Sequence, residues 1–439
     1  MKSDRVPVAI VGGGASGTIL AAQLARRGIG ALLIDGSGRM GRGVAYSTTE
    51  PAHLLNVRAE GMSAWAGEPD HFARAFAAED GEPRGFAQRR FFATYLGGIL
   101  NEAVRSGCVE RVERTAVAAS RSSDGWRVEF DDGSSVEAQA VVLATGNQEP
   151  DALGAFRGVG NRFIGNPWGA DARAAVEELA ASGGSALLVG TGLTMVDLVL
   201  SLDAAGHQGR IVALSRRGLA PRGHADFQAA PVAAEALPRR LRDLFRWLRR
   251  RSAEVGWRAA VDSFRPHSHA LWQGLDQDEQ RRFLRHVRPW WDVHRHRIAP
   301  EVAATVARMV AEGRLEIVAG RIVAARETGD SLEVDYRRRG AAEPRTERFA
   351  YAFNCTGPLH SIARSKDPLL RSLLDAGQVR PDHLGIGLEV DERSRLMGSE
   401  GLWALGPLTK GRYWEIIAVP DIREQAAAVA DDIARELGR

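Results

Sequence analysis

"VPVAIVGGGASGTILAAQLARRG", residues 6–28, sets an apolar strand, a glycine-rich turn and an amphipathic helix end to end. That succession opens a dinucleotide-binding βαβ unit. Gly12, Gly14 and Gly17 spell G-x-G-x-x-G. Gly12 permits the tight turn, Gly14 lets the backbone approach a pyrophosphate, and Gly17 lets helix and strand pack closely. The helix start at Ala15 and Ser16 offers unpaired N–H groups and the positive end of the dipole. Asp35 ends the next strand, "ALLID" (31–35), where a carboxylate accepts from a ribose hydroxyl.

The same plan returns in "SALLVGTGLTMVDLVLSLDAAG" (185–206) and "RIVALS" (210–215). Gly190 and Gly192 repeat the first two glycines, Leu193 and Thr194 open the helix, and Met195 stands in the third glycine's place. Ser215 occupies the position of Asp35 and is followed by Arg216 and Arg217. An acid there selects NAD; a hydroxyl and two guanidiniums suit a 2′-phosphate, so NADPH is expected.

Each copy leads into a meander of short alternating strands. The first ends in "VVLATG" (141–146) and the second in "AFNCTG" (352–357), which brings Thr145, Gly146, Thr356 and Gly357 back to the nucleotide sites. The expected fold is α/β: two Rossmann-like, three-layer ββα domains, one nested in the other. The expected boundaries are 1–160 with 350–439 for the first domain and 161–349 for the second. Residues 230–312 fit neither module. With "RRLRDLFRWLRRR" (239–251) and "PEVAATVARMVAEG" (300–313), they read as a helical insertion covering the second module.

Composition narrows the function. The 439 residues carry a net charge of only +3, and Lys2, Lys366 and Lys410 are the only lysines among 58 basic residues. Arginine is so abundant that "RWLRRR" (246–251), flanked by Asp243 and Glu254, does not argue for nucleic acid. Cys108 and Cys355 form no CxxC, which excludes a redox dithiol on this chain. His294 and His296 are two apart and face different sides of a helix, so no metal is expected. With no long apolar run and no signal segment, neither a membrane nor export is expected; the expected location is cytoplasmic.

"GRGVAYS" (41–47), "HLLNV" (53–57), "ATGN" (144–147), "GTGLTMVD" (190–197), "SRRG" (215–218) and "NCTGP" (354–358) give the chain a resemblance to a known family. It resembles bacterial FAD/NAD(P)-binding proteins, flavoproteins with two dinucleotide-binding domains that are related to the class B flavin monooxygenases. The resemblance implies FAD in the N-terminal site and NADPH in the second. It implies FAD contacts from Gly36, Arg42, Val44 and Ala45 after Asp35, and from Val117 on the first meander. Arg89 in "FAQRRFFATYL" (86–96) would meet an FAD phosphate or the adenosine. Gly406, Pro407 and Thr409 would meet the flavin in "LWALGPLTKGRYWEII" (402–417), where Pro407 replaces the Asp of the usual Gly-Asp pair.

The same resemblance puts Asn56 at the flavin edge near N5 and C4a, as the catalytic group. The monooxygenase fingerprint is kept at Phe163 and Gly165, but Asn166-Pro167-Trp168 replaces its His. The implied reaction is N- or S-oxidation or hydroxylation of a small molecule by O2, through a C4a-hydroperoxyflavin. Two alternatives stay open: an NAD(P)H dehydrogenase passing electrons from FAD to a quinone or other acceptor, and a non-catalytic flavin- and NADPH-binding regulator. Trp290, Trp291, His294 and Arg297 either line a pocket for an anionic or aromatic substrate or simply pack. A homodimer is left open.

Overall fold

The structure, a computed structural model, describes residues 5–438. The apolar run Val8–Val11 is buried, as a strand covered on both faces must be. It lies in the strand Arg5–Val11, at the centre of the first sheet. Ala31–Ile34 and Val109–Val112 follow in parallel on one side, and Ser135–Leu143 lies in parallel on the other. Gly125–Phe130 and Ala116–Ser122 continue the sheet as the antiparallel meander, and Leu402–Ala404 pairs in parallel with Ser135–Leu143.

Helices Ala15–Arg26, Arg89–Arg105 and Val419–Glu436 cover one face, with Leu20, Phe92 and Val429 in their shared core. The meander and helix Pro368–Asp375 close the other face around Trp126, Val141 and Leu370.

The second sheet repeats this plan. Phe163–Ile164, Tyr351–Asn354, Ala186–Val189, Ile211–Ser215 and the long Leu315–Thr328 run in parallel. Ser331–Arg338 and Arg345–Phe349 complete it as an antiparallel extension. Because Tyr351–Asn354 belongs to this sheet, the domain boundary expected at 350 falls after Asn354 instead. Phe156 also packs in the second core, so that domain begins before 161. The chain enters the second domain after Leu143 and rejoins the first sheet at Leu402.

The helical insertion differs from its expected extent and position. Helix Pro300–Ala311 buries Val302 and Met309 against Met195 and Val199. It is therefore the crossover helix between two parallel strands, and the insertion ends before it. The preceding helices share a core of Leu244, Phe264, Trp272 and Phe283, and that core includes Leu384 and Trp414 of the first domain. Trp272 Nε1 donates to the Gly411 carbonyl at 2.8 Å, and Trp291 Nε1 to Glu415 at 2.8 Å. The insertion thus leaves one domain and seals onto the C-terminal segment of the other. Its recurring Arg, Trp and Leu residues could not announce which domain the indoles would meet. Among the described residues, no helix is long and apolar enough to cross a membrane.

Candidate functional site

At the first turn Gly12 has φ +108°, and a Cβ there would collide with the Ala144 carbonyl. A Cβ on Gly17 would collide with the Gly12 carbonyl in turn. Gly14 is looser: the nearest atom to its missing Cβ is Gly43 Cα at 3.6 Å, an ordinary van der Waals contact with the following loop. Gly14 is also the N-cap of Ala15–Arg26, with no side chain capping the helix. Uncapped N–H groups and a helix dipole make an anion cradle.

Asp35 faces this cradle. One oxygen accepts from Gly13 N at 2.7 Å and the other from Ser37 N at 2.8 Å. Gly41 N donates to the Gly13 carbonyl at 2.7 Å, which seats the following loop over the turn. That loop exposes Arg42, Val44 and Ala45 beside it.

Gly36 leaves no room for a side chain against Thr115, so the Asp35 loop lies against the start of the meander. There the strand slips register between Ala116 and Ala118, and Val117 sits in the bulge. The second domain has the same device: Leu315–Thr328 slips between Ile322 and Ala324, leaving Val323 at the bulge and exposed. Val323 was not among the expected site residues. The repeated meander was the signal that could have found it, since a bulge re-aims one residue at a sheet's rim.

The Gly406–Thr409 turn lies across the same helix start, close enough that a Cβ on Gly406 would strike Ser16 Oγ. Gly406 N donates to Gln425 Oε1 at 2.8 Å. Thr409 Oγ1 donates to the Gly406 carbonyl at 2.9 Å and accepts from Gln425 Nε2 at 2.9 Å. Pro407 and Thr409 are buried, and the Thr409 hydroxyl is committed to shaping this turn.

The second cradle is the more open. Gly190 has φ +121° and abuts the Cys355 carbonyl, as Gly12 abuts Ala144. Gly192 has nothing within 4 Å of a would-be Cβ and caps Leu193–Ala204 with no side chain. Met195 is fully buried in the second core, so here the third glycine position packs a side chain where Gly17 could hold none. Leu193 and Thr194 are half-buried at the helix start.

Ser215 Oγ accepts from Thr191 Oγ1 at 2.9 Å and from Gly218 N at 3.0 Å, pinning the turn that carries the arginines. Arg216 is exposed and makes no hydrogen bond or ion pair with a described residue. Arg217 makes one long bond, 3.4 Å to the Arg285 carbonyl. Two guanidiniums therefore stand without a carboxylate partner among the described residues where the first site holds a carboxylate.

The returning loops of the two domains meet. Gln148 Nε2 donates to Thr145 Oγ1 at 3.3 Å, its backbone carbonyl accepts from Leu359 N at 3.2 Å, and its Oε1 accepts from Ser365 Oγ at 2.6 Å. Gly146 and Gly357 both adopt positive φ, while Thr356 Oγ1 donates to Asn354 Oδ1 at 2.7 Å.

Arg89 has a different position from the one expected. Its guanidinium donates to both oxygens of Asp197 at 2.8 Å, and its Nε reaches the Leu54 carbonyl at 3.2 Å. His53 joins the same junction through the Asp197 carbonyl at 2.9 Å. With its fork filled by a carboxylate, Arg89 ties the two domains together rather than standing open to a phosphate. Sequence reading missed both His53 and Asp197, although each lay inside a quoted motif.

Three residues beyond His53, the Asn56 carbonyl accepts from His224 Nε2 at 3.1 Å. Burial first, then the neighbouring Arg297, pushes His224 down to about 4, so its ring is neutral near pH 7. The Asn56 side-chain amide makes no hydrogen bond to a described residue and is half-buried. Trp291 Nε1 is tied to Glu415 while its ring lines a cavity in the insertion, His294 is tied to the Trp290 carbonyl, and Arg297 pairs with Asp262. Among the described residues, no group of three or more His, Cys, Asp or Glu could hold a metal ion.

Residues 9–148 match the model of a family described as FAD-NAD(P)-binding. No curated protein matches the chain. Among solved structures, the reduced form of ornithine hydroxylase from Pseudomonas aeruginosa aligns at a TM-score of 0.69 with 16% identity, over 98% of this chain and 99% of that one. L-lysine 6-monooxygenase from Pseudomonas syringae aligns at 0.67 with 16% identity, over 98% and 99%. A bacillithiol disulfide reductase from Staphylococcus aureus aligns at 0.58 with 12% identity, again over 98% and 99%. These likenesses establish the fold of two Rossmann-type domains over 98% of the chain.

Proposed function

We propose that the protein is an FAD- and NADPH-dependent oxidoreductase, and specifically a monooxygenase acting on a small organic molecule. The observation that carries this reading is the charge contrast between two otherwise matching cradles. A carboxylate stands at the strand end of the first, and at that of the second stand two guanidiniums with no carboxylate partner among the described residues. The first suits a ribose with free hydroxyls and the second a ribose bearing a 2′-phosphate.

Bound FAD would supply the electron transfer and oxygen activation that no side chain can perform. The protein's own contribution is placement. Gly12, Gly14 and the start of the first helix hold a pyrophosphate, Asp35 orients the ribose, and Arg216 with Arg217 selects the second dinucleotide. The Asn56 amide, with no bond to the protein, is the polar group offered to the flavin edge. Among the structures named above, the two hydroxylating enzymes align at higher TM-scores than the disulfide reductase. Cys355 is buried, and burial pushes its thiol far up, which disfavours disulfide chemistry on this chain.

The test is anaerobic reduction of the purified yellow protein by NADPH and by NADH, followed by turnover under labelled oxygen against candidate amines, thioethers and acids. Flavin bleaching by NADPH with label in the product supports the monooxygenase. Bleaching followed by quinone reduction and no label would transfer the assignment to the dehydrogenase.

A further inference from the structure

The two meanders match more closely than a shared plan requires. "VERVERTAVAA" (109–119) and "LEIVAGRIVAA" (315–325) align residue for residue, and each slips register at its valine, Val117 or Val323. The strands beside them match too: Ile34 pairs with Val112 and Leu214 with Val318, each one residue short of Asp35 or Ser215. In the first domain Gly36, the residue after Asp35, packs against Thr115. The corresponding positions of the second domain are Arg216, after Ser215, and Arg321. Glycine and threonine in one copy are thus both arginine in the other.

Register fixes the face on which Arg321 stands. Val318 and Ile322 turn into the second core, so Ala319 and Arg321 turn to the opposite face. A Cβ on Gly218, at the end of the arginine turn, would lie 3.1 Å from Ala319 Cβ, which seats that turn on the same face. Arg337 lies directly across the antiparallel pair from Arg321 and shares its face. Both side chains are exposed, and neither makes a hydrogen bond or ion pair with a described residue. Asp335, two residues from Arg337, is already taken by Arg326 at 2.8 Å and by Thr346 at 2.5 Å. Like charges directly opposite destabilise a sheet, so this pair costs stability until an anion joins it. Beside it at the bulge stands Val323, exposed and apolar.

We infer that Arg321 and Arg337 form the second wall of the 2′-phosphate site, opposite Arg216 and Arg217, with Val323 as the apolar surface for the adenine. A phosphate monoester, close to a dianion near neutral pH, answers two guanidinium pairs where a single carboxylate would answer one. The inference rests on the NADPH reading above and adds to it two specificity-determining residues from a separate segment of the chain.

The FAD-loaded protein is titrated by calorimetry with adenosine 2′,5′-bisphosphate and with 5′-AMP, which lacks only the 2′-phosphate. The unaltered chain favours the bisphosphate. Arg321→Gln weakens the bisphosphate by about tenfold or more, the loss of one charge-assisted bond, and Arg337→Gln weakens it by a smaller factor. Affinity for 5′-AMP holds within about twofold in both variants, since neither arginine meets the 5′ end. Each ligand-free variant melts no lower than the parent, because a like-charge pair has been relieved. Undiminished bisphosphate binding in both variants, an equal loss of 5′-AMP, or a lower melting point in both would overturn the inference and leave the NADPH reading in place. Equal affinity of the unaltered chain for the two nucleotides would instead refute the NADPH reading, and this inference with it.

Discussion

Arg89 on a first-domain helix and Asp197 on a second-domain helix meet fork to fork, each of the two terminal guanidinium nitrogens 2.8 Å from its own carboxylate oxygen. Their side chains are 14% and 7% exposed, so water screens the pair little. Removing one partner of such a pair leaves a buried charge unanswered, at about 3–5 kcal/mol.

Asp197→Ala is therefore expected to lower the melting temperature by several degrees, and Arg89→Ala by a comparable amount. In the double variant the losses fall well short of adding, because the second truncation removes the charge the first stranded. Calorimetric melts of the four proteins check this, and simple additivity would show that the contact carries no coupling.

Arg216→Gln and Arg217→Gln are each expected to raise the KM for NADPH by about ten- to a hundredfold, the loss of one charge-assisted bond of 1.5–3 kcal/mol. The KM for NADH is expected to stay within about twofold. A parallel loss for both cofactors would mean the arginines hold the fold rather than the 2′-phosphate.

His224 sits near pKa 4 when folded, against 6.5 for an ordinary histidine. The unfolded chain therefore binds the extra proton first as pH falls, and folding stability declines between about pH 6.5 and 4. His224→Gln is expected to flatten that part of the pH–stability curve by an amount on the order of 1–3 kcal/mol. Denaturant melts at pH 7 and pH 4.5 measure it; equal slopes in both proteins would assign the acid loss to other groups.

Cys355 is buried and Cys108 half-buried. One thiol per native chain is expected to react with an aromatic disulfide reagent at pH 8, and two after denaturation. Two fast thiols in the native protein would reopen disulfide chemistry.

Much of the fold was legible because glycine spacing and apolar runs are local signals. The turns at Gly12 and Gly190, the carboxylate at Asp35 and the arginines after Ser215 all follow from neighbours within about 25 residues. What escaped was non-local. Arg89 reads as a phosphate ligand until Asp197, 108 residues away, is seen to fill its fork. Helix 300–311 reads like the helices before it, and only the parallel strands on either side make it a crossover. Val323 needed a register slip that no composition reveals.

The nested arrangement bears on how the chain is made. The first sheet receives Leu402–Ala404 and its covering helix Val419–Glu436 only after residues 144–401 have been synthesised. At roughly 5–20 residues per second that delay is about 13–50 s. Throughout it, the apolar face of helix Ala15–Arg26 that will meet Val419–Glu436 stands uncovered on the ribosome, while the inner domain has all its strands. The domain translated first is thus the last to close, and the interval leaves a chaperone time to hold it.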